Sequence, residues 1–407
     1  MSEPPAATEV SPGESPETVA PIPITKPCFG EEEFRAVQEP LESGWVVQGP
    51  RVAEFERKFC AYTGATYALA ANSCTTALHL VVAALGLGPG DEVIVPALTW
   101  VSTANVVEYT GATPVFCDVD LATYNLDVAH ATSLVTDRTV GIIPVHLFGL
   151  AADLDAVAEL ARARSLWVVE DAACGFGAWY HGSHVGTFGE AGAFSFHPRK
   201  SITTGEGGMV TTRDAALAET MQSLREHGAS RSELSRHTGE GAFLLTSYDV
   251  VGFNYRMTDI QGALGSAQMD RADWILDRRR ERAARYDRLL ANAQWLRTPV
   301  VPEGYVHGYQ GYVCLFAPEE PSLECMDDLH ARRNRLMANL EAKGIATRQG
   351  THAAVLLGVY AGKYGLRPEQ FPNAALGDRL TISLPLYPQM TDDEQDRVVD
   401  ELLRAEP

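Results

Sequence analysis

The stretch that decides the fold runs from Ala191 to Thr212 and reads AGAFSFHPRKSITTGEGGMVTT. A run of small and aromatic residues ends at Pro198, and a second apolar run, Gly-Met-Val-Thr-Thr, follows a loop rich in glycine and threonine. Short apolar runs interrupted by proline and glycine are typical of buried strands joined by a loop. The pattern therefore predicts two strands with Lys200 presented in the loop between them.

Lys200 is open to two interpretations, an ordinary surface lysine or a functional amine. A lysine held between strand ends and small residues loses part of its hydration, which lowers its pKa and makes the neutral amine available as a nucleophile or Schiff-base former. Most lysines are simply exposed to solvent. The choice between the two depends on what the rest of the chain places around it.

Length and charge limit the kinds of partner. The chain has 407 residues, more than one core usually supports, so we expect two domains. Its formal net charge of -20 argues against nucleic acid or an anionic membrane surface as the main partner. A small anionic ligand is still compatible with this charge, because backbone amides and a few cations can bind phosphate.

Cysteine usage indicates the compartment. The seven cysteines are scattered, and no two form a Cys-x-x-Cys pair. This pattern favours neither a disulfide framework nor a zinc site, so we expect reduced thiols, no metal and a cytoplasmic protein.

The order of apolar runs predicts the domains. Residues 1–24 are rich in Pro, Glu and Ser and lack the features of a signal peptide, which predicts a disordered tail. In residues 25–270, short strand-like runs alternate with helical ones, which predicts an α/β domain with a mostly parallel central sheet and helices on both faces. Residues 271–407 change character and predict a smaller C-terminal α+β domain.

Three features near strand ends could bind a ligand, because ligands gather at the carboxyl ends of strands in such sheets. Asp171 follows an apolar strand and is either a helix N-cap or a buried carboxylate facing a cation. Trp100 also follows a strand and offers either core packing or a flat stacking face. Thr75 and Thr76 begin a helix, where their hydroxyls serve as a plain cap or help to hold a phosphate.

Taken together, these groups match the needs of one cofactor. Pyridoxal 5'-phosphate (PLP) requires an amine for its aldehyde, a carboxylate for its ring nitrogen, a stacking face and a phosphate cup. The residues therefore favour PLP chemistry, although they do not name the substrate.

The chain also resembles the DegT/DnrJ/StrS family of sugar aminotransferases over about residues 25 to 404. The resemblance rests on six motifs: FSFHxxK at 194–200, GEGG at 205–208, EDAA at 170–173, PVHLFG at 144–149, NYRMTD at 254–259 and LPLYP at 384–388. It implies a fold type I aminotransferase that is active as a homodimer, with each active site built at the subunit interface.

The resemblance assigns roles by position. It implies that Lys200 binds the cofactor aldehyde and transfers protons, that Asp171 contacts the ring nitrogen, and that Trp100 stacks on the ring. The implied phosphate ligands are Thr75, Thr76, Ser195 and, from the neighbouring subunit, Asn254. Three further residues lie in motifs near the substrate: His197, Arg256 and His352.

One position departs from the family pattern. Many members have Gln or His three residues after the aspartate, near the phenolic oxygen of the cofactor, whereas this chain has Cys174. The usual hydrogen bond at that oxygen is therefore in doubt.

The implied reaction transfers an amino group from L-glutamate to a keto group of a nucleotide-linked deoxysugar. Relatives that remove a sugar hydroxyl have histidine at the lysine position, so Lys200 argues against that chemistry. A cyclitol ketone as acceptor, formation of an aromatic amino acid, and a non-catalytic regulatory protein that only binds PLP are alternatives. A nicotinamide dehydrogenase is disfavoured, because no Gly-x-Gly-x-x-Gly follows the first strand.

Overall fold

The computed structural model describes residues 20–230 and 245–405. Most of the polar stretch between His227 and Val250, which the sequence predicts to be a mobile loop, lies outside the described residues. The helices are α1 (Glu31–Ser43), α2 (Pro50–Thr63), α3 (Cys74–Ala84), α4 (Ser102–Tyr109), α5 (Val128–Leu134), α6 (Leu154–Arg164), α7 (Ala215–Arg225), α8 (Asp259–Asp270), α9 (Ala272–Leu289), α10 (Met326–Ala342), α11 (Gly358–Tyr364), α12 (Pro372–Leu380) and α13 (Asp392–Arg404).

The strands are β1 (Tyr67–Ala71), β2 (Glu92–Pro96), β3 (Thr113–Cys117), β4 (Thr139–Ile142), β5 (Trp167–Asp171), β6 (Trp179–Tyr180), β7 (Ser183–His184), β8 (Ala191–Ser195), β9 (Gly208–Thr212), β10 (Leu296–Arg297), β11 (Tyr305–Val306), β12 (Tyr312–Phe316) and β13 (Thr381–Leu384). Seven of them form the central sheet in the order β1-β9-β8-β5-β4-β2-β3. The strands from β8 to β3 pair in parallel, whereas β9 runs antiparallel to both β8 and β1. The predicted mostly parallel sheet is confirmed.

Both faces of this sheet are covered. Successive side chains of a strand point to opposite faces, and Ala193 and Val210 accordingly pack in one apolar cluster while their neighbours Phe194 and Met209 pack in another. All four are fully buried. The apolar run before Pro198 is continuous because strand β8 is buried on both faces of the sheet.

A smaller antiparallel sheet, β10-β12-β13, lies in the C-terminal part of the chain. Strand β12 is completely buried. Helices and this sheet together confirm the predicted C-terminal α+β unit. The predicted boundary between residues 270 and 271 falls at the junction of α8 and α9, and the domain limits themselves stay a prediction.

The predicted disordered tail is wrong for residues 20–24. Ile22 is 1% exposed and forms a parallel bridge with Ile345. Its amide donates to the carbonyl of Gly344, and its carbonyl accepts from the amide of Ala346. A buried apolar side chain with both backbone groups paired fixes this segment to the C-terminal part of the chain, and residues 1–19 lie outside the described residues.

None of the helices formed by residues 20–230 and 245–405 combines the length and the apolar character needed to cross a lipid bilayer.

Candidate active site

Asp171 ends strand β5 at the carboxyl edge of the sheet and is 2% exposed. Its Oδ2 atom accepts a hydrogen bond from Thr103 Oγ1 at 2.7 Å, and its Oδ1 atom accepts one from the amide of Ala173 at 3.1 Å. Burial raises the pKa of Asp171 above its ordinary value, and these hydrogen bonds offset the effect only in part. A buried carboxylate in this state favours a cationic partner.

Lys200 lies in the loop between β8 and β9, as the sequence predicts. Its amide donates to the carbonyl of His197 at 2.8 Å, and the amide of Thr204 closes the loop by donating to the carbonyl of Phe196. The side chain is half-buried, and its Nζ atom donates to the Sγ atom of Cys174 at 3.1 Å. The structure therefore brings Lys200 and Cys174 together.

The environment of Lys200 differs from the expected one in its electrostatics. Burial alone lowers the pKa of Lys200, but the sulfur of Cys174, then Cys74 and the carboxylate of Asp171, outweigh it, so that the pKa lies above its ordinary value. The predicted lowering of this pKa is thus wrong for the cofactor-free chain. Sequence reasoning counted the loss of hydration and placed Cys174 near the cofactor, but it did not include the effect of Cys174 and Cys74 on the amine of Lys200.

The start of α3 is held close to the loop that follows Lys200. Its N-cap is Ser73, whose side chain accepts from the amide of Thr76. At Gly208, a side chain would place its Cβ 2.4 Å from the carbonyl oxygen of Ser73, so only glycine permits this approach. Gly208 pairs with Ser195 across β8 and β9. The sheet therefore brings Ser195 to the helix start, as expected for a phosphate cup.

The two threonines at this helix start differ. The hydroxyl of Thr76 contacts Asn72 Oδ1 at 2.6 Å and also takes part in the capping box with Ser73. The hydroxyl of Thr75 makes no hydrogen bond within the part of the chain that the structure describes. A helix N-terminus with a free hydroxyl is suited to bind a phosphate group. Thr75 is thus the more available of the two predicted ligands.

Trp100 is 60% exposed at the carboxyl edge of the sheet. Its ring lies 6.0 Å from the ring of His352, at 38°. The contact follows from backbone pairing, since the amide of Thr99 donates to the carbonyl of His352. The indole thus has a face available for stacking, and the predicted core-packing alternative does not apply.

The remaining predicted residues lie on neighbouring loops. The carbonyl of Tyr255 accepts from the amide of Asn72, which carries Asn254 and Arg256 past the start of α3. The Asn254 side chain is exposed, and the Nη1 atom of Arg256 is buried; within residues 20–230 and 245–405 neither has a hydrogen-bond partner. Burial lowers the pKa of His197, which lies in the turn that precedes Lys200.

Sequence reasoning missed a buried pair behind Asp171. His146 and Glu170 are both fully buried, and His146 Nε2 lies 2.9 Å from Glu170 Oε2. The amide of Ala152 donates to His146 Nδ1, so the proton of the neutral ring is on Nε2 and is donated to Glu170. Both residues stand in the quoted motifs, one of them directly before Asp171, and that adjacency was the available signal.

These residues fit PLP. Among the described residues the buried carboxylate of Asp171 forms no ion pair, and it matches a protonated ring nitrogen. Trp100 presents an open indole face, and Thr75 and Ser195 flank a close backbone approach that suits a phosphate. Lys200 supplies the amine for the aldehyde. At position 174, where the family resemblance implies Gln or His, the thiol of Cys174 contacts this amine.

Comparison with known proteins agrees with this geometry. The model of the DegT/DnrJ/EryC1/StrS aminotransferase family matches residues 27–403. The spore coat polysaccharide biosynthesis protein SpsC of Bacillus subtilis is 39% identical over 381 residues, which are 93% of this chain and 95% of SpsC.

Two solved structures are similar over nearly their whole length. Spr1654 of Streptococcus pneumoniae, solved in PMP and PLP forms, has a TM-score of 0.86 in the PMP form with 29% identity, covering 95% of this chain and 99% of that one. PseC of Helicobacter pylori, an aminotransferase involved in the biosynthesis of pseudoaminic acid, has the same TM-score and coverage with 26% identity. The predicted fold and cofactor are confirmed.

Proposed function

Because the chain belongs to the DegT/DnrJ/EryC1/StrS aminotransferase family, we propose that this PLP-dependent aminotransferase moves an amino group from L-glutamate to a keto group of a nucleotide-linked deoxysugar. SpsC acts in spore coat polysaccharide biosynthesis and PseC in the biosynthesis of pseudoaminic acid, which supports a carbohydrate acceptor. Seven free cysteines support a cytoplasmic enzyme.

The proposal rests on one observation, the placement of the Lys200 amine close enough to the buried carboxylate of Asp171 for the two charges to interact. When bound, PLP supplies an aldehyde and a ring that accepts electrons. Lys200 supplies the amine that holds the aldehyde and, when released, can accept a proton at Nζ and return it. Asp171 supplies the negative charge that keeps a ring nitrogen protonated, and Trp100 orients the ring.

A half-reaction tests this function. The PLP-loaded enzyme is mixed with L-glutamate, and we expect one equivalent of 2-oxoglutarate per site with conversion of the cofactor to pyridoxamine phosphate. Lys200→Ala is expected to lower the rate at least a thousandfold. Absence of conversion in the wild type would favour a regulatory protein that only binds PLP.

The amino-group acceptor is tested in the second half-reaction. The pyridoxamine form is offered nucleotide-linked 3-keto and 4-keto sugars beside a cyclitol ketone, and the aminated product is identified by mass spectrometry. Amination of the cyclitol alone would overturn the proposed substrate class.

We further propose a homodimer with shared active sites. The segment before Asn254 exposes Val251 by 93%, and α1 exposes Phe34 by 63% and Leu41 by 61%, which supports an interface with a second copy. Asn254, whose side chain has no hydrogen-bond partner in the described part of the chain, would then reach the phosphate of the neighbouring site.

Subunit mixing tests the shared site. A hybrid of Lys200→Ala and Asn254→Ala subunits contains one site with an intact lysine, and its asparagine is intact only if the partner donates it. Recovery of activity on mixing two impaired variants supports sharing. No recovery, with hybrids confirmed by native mass spectrometry, would show that each chain uses its own Asn254.

A further inference from the structure

An open cleft with a cavity volume of about 80 Å³ lies beside the lysine loop. It is lined by Ile24 and Thr25, by the turn at Phe148, by the loop before β12 and by the loop before α11. Its only charged lining residues, within the part of the chain that the structure describes, are Arg199 and Arg348. The walls add the side chains of Gln310 and Gln349. We call this space the arginine cleft.

No described carboxylate neutralises either guanidinium group. Arg348 Nη1 donates to the backbone carbonyl of Thr347, and among residues 20–230 and 245–405 neither arginine forms an ion pair. Other arginines of the chain do pair, for example Arg271 with Glu33 and Arg285 with Asp396. In a chain of net charge -20, two unpaired arginines in one cleft are a local excess of positive charge.

The arginine cleft adjoins the reacting lysine. Arg199 directly precedes Lys200, and Arg348 lies four residues before His352, which contacts Trp100. Four residues of extended chain span at most about 14 Å. Arg199 thus joins the cleft to the lysine loop, and Arg348 lines the same cleft.

The walls of the cleft are fixed before any ligand binds. Arg279 is 1% exposed and donates to the carbonyls of Tyr309 and Gln310, and the Gln310 side chain donates to the carbonyl of Arg199 at 2.9 Å. On the opposite wall, a Cβ at Gly350 would lie 2.8 Å from the Phe148 ring. Groups held in place in this way lose little freedom on binding.

We propose that Arg199 and Arg348 form an oxyanion subsite of the active site, which binds either a carboxylate of the amino donor or a phosphate of the nucleotide. The planar guanidinium fork matches both groups and binds them through two parallel hydrogen bonds. This inference rests on the proposed function, because it assigns a part of that substrate to the cleft.

Binding of unreactive probes to the PLP-loaded enzyme tests the subsite. Glutarate represents the carboxylate source and UDP the phosphate source, and their dissociation constants are measured by calorimetry. Arg199→Gln and Arg348→Gln are each expected to weaken one probe at least tenfold, and the probe that responds identifies the source. Arg335→Gln, an exposed position on α10 outside the cleft, is the matched control and should leave both constants unchanged.

Two results would overturn the subsite: no binding of either probe to the wild type, or equal binding to the wild type and both cleft variants. The glutamate half-reaction of the wild type is measured in parallel. A wild type that converts its cofactor with glutamate while the cleft variants bind both probes normally removes the subsite but leaves the proposed function intact. Failure of the wild-type half-reaction removes the proposed function instead.

Discussion

The Nζ atom of Lys200 lies 3.1 Å from the Sγ atom of Cys174, at a position where the family resemblance implies glutamine or histidine. This sulfur makes the largest contribution to raising the pKa of the lysine, against the effect of burial. A contact between the amine and a neighbouring thiol therefore favours the protonated form of the residue that must capture the cofactor.

Replacing Cys174 by alanine is predicted to lower the pKa of Lys200, because burial then acts with less opposition. In the cofactor-free protein, the midpoint for acetylation of Lys200, followed by mass spectrometry as a function of pH, should shift to lower pH. Cys60→Ala, at a half-buried thiol of α2, is the control and should not move it. An unchanged midpoint in the Cys174 variant would contradict the role of the sulfur.

Asp171→Asn is predicted to have opposite effects on cofactor binding and on the stability of the cofactor-free protein. Removing one partner of a buried charge pair costs about 2–5 kcal/mol of PLP affinity. Because the folded-state pKa of Asp171 is raised, the folded state binds a proton more tightly than the unfolded chain does, and this group's contribution to stability falls as pH rises through that raised pKa.

At neutral pH the asparagine variant should therefore unfold at the same or a higher temperature without PLP, yet gain less stability when PLP is added. Thermal unfolding and PLP titration measure the two effects. Asp118→Asn alters another buried carboxylate, which accepts from the amides of Asn373 and Ala374, and should leave the PLP affinity unchanged. Wild-type PLP affinity in Asp171→Asn would refute the pairing.

Glu170→Gln is predicted to destabilise the fold. The carboxylate accepts hydrogen bonds from the amides of Gly186, Phe188 and Gly189 and from His146. An amide has one acceptor oxygen, so at least two buried donors lose their partner, at about 1–3 kcal/mol each. Urea denaturation should show the loss, whereas Glu159→Gln, on the exposed face of α6, should lie within about 0.5 kcal/mol of the wild type.

The hydrogen-bonded pair of Glu170 and His146 also makes the stability of the fold depend on pH. Although burial raises the pKa of Glu170, the hydrogen bonds from His146 and from the amides of Gly189 and Gly186 hold it below its ordinary value. Its stabilisation is therefore present above the unfolded pKa and lost as pH falls through the lower folded one. Acid unfolding of Glu170→Gln should accordingly depend less steeply on pH than that of the wild type.

Trp100→Ala is predicted to weaken PLP binding while changing stability little. The side chain is 60% exposed, so its truncation removes few packing contacts. Loss of ring stacking costs about 0.5–1.5 kcal/mol beyond the buried area, and Trp100→Phe should recover most of it. Trp274→Ala, at a tryptophan 47% exposed on α9, is the control; equal effects of both alanine variants on PLP affinity would argue against stacking.

Local patterns predicted much of this molecule. The strands on either side of Lys200, the alternation that gives the parallel sheet, and the positions of Asp171 and Trp100 at its carboxyl edge follow from apolar periodicity and breaker residues, which are properties of short windows. The reversed direction of β9 and the bridge of Ile22 to Ile345 depend on pairing between distant segments, which no window contains.

In the active site, too, some features follow from short stretches of sequence and others only from the folded chain. The sequence indicated which residues could bind PLP, but the contact of Lys200 with Cys174 and the cluster of Arg199 with Arg348 arise from packing of separate elements. The sign of the lysine pKa shift was missed for that reason, since charge and desolvation compete over distances of a few ångströms and only the folded chain sets them.

The buried guanidinium of Arg279 has a consequence for attempts to alter the enzyme's acceptor. It joins α9 to the carbonyl of Gln310, whose side chain in turn fastens the residue before Lys200. Insertions or deletions in the first half of α9 would move Arg279 and, through Gln310, displace the loop that carries Lys200. Variation at Gln349 and Thr351 leaves the fastening intact and is the safer starting point for engineering.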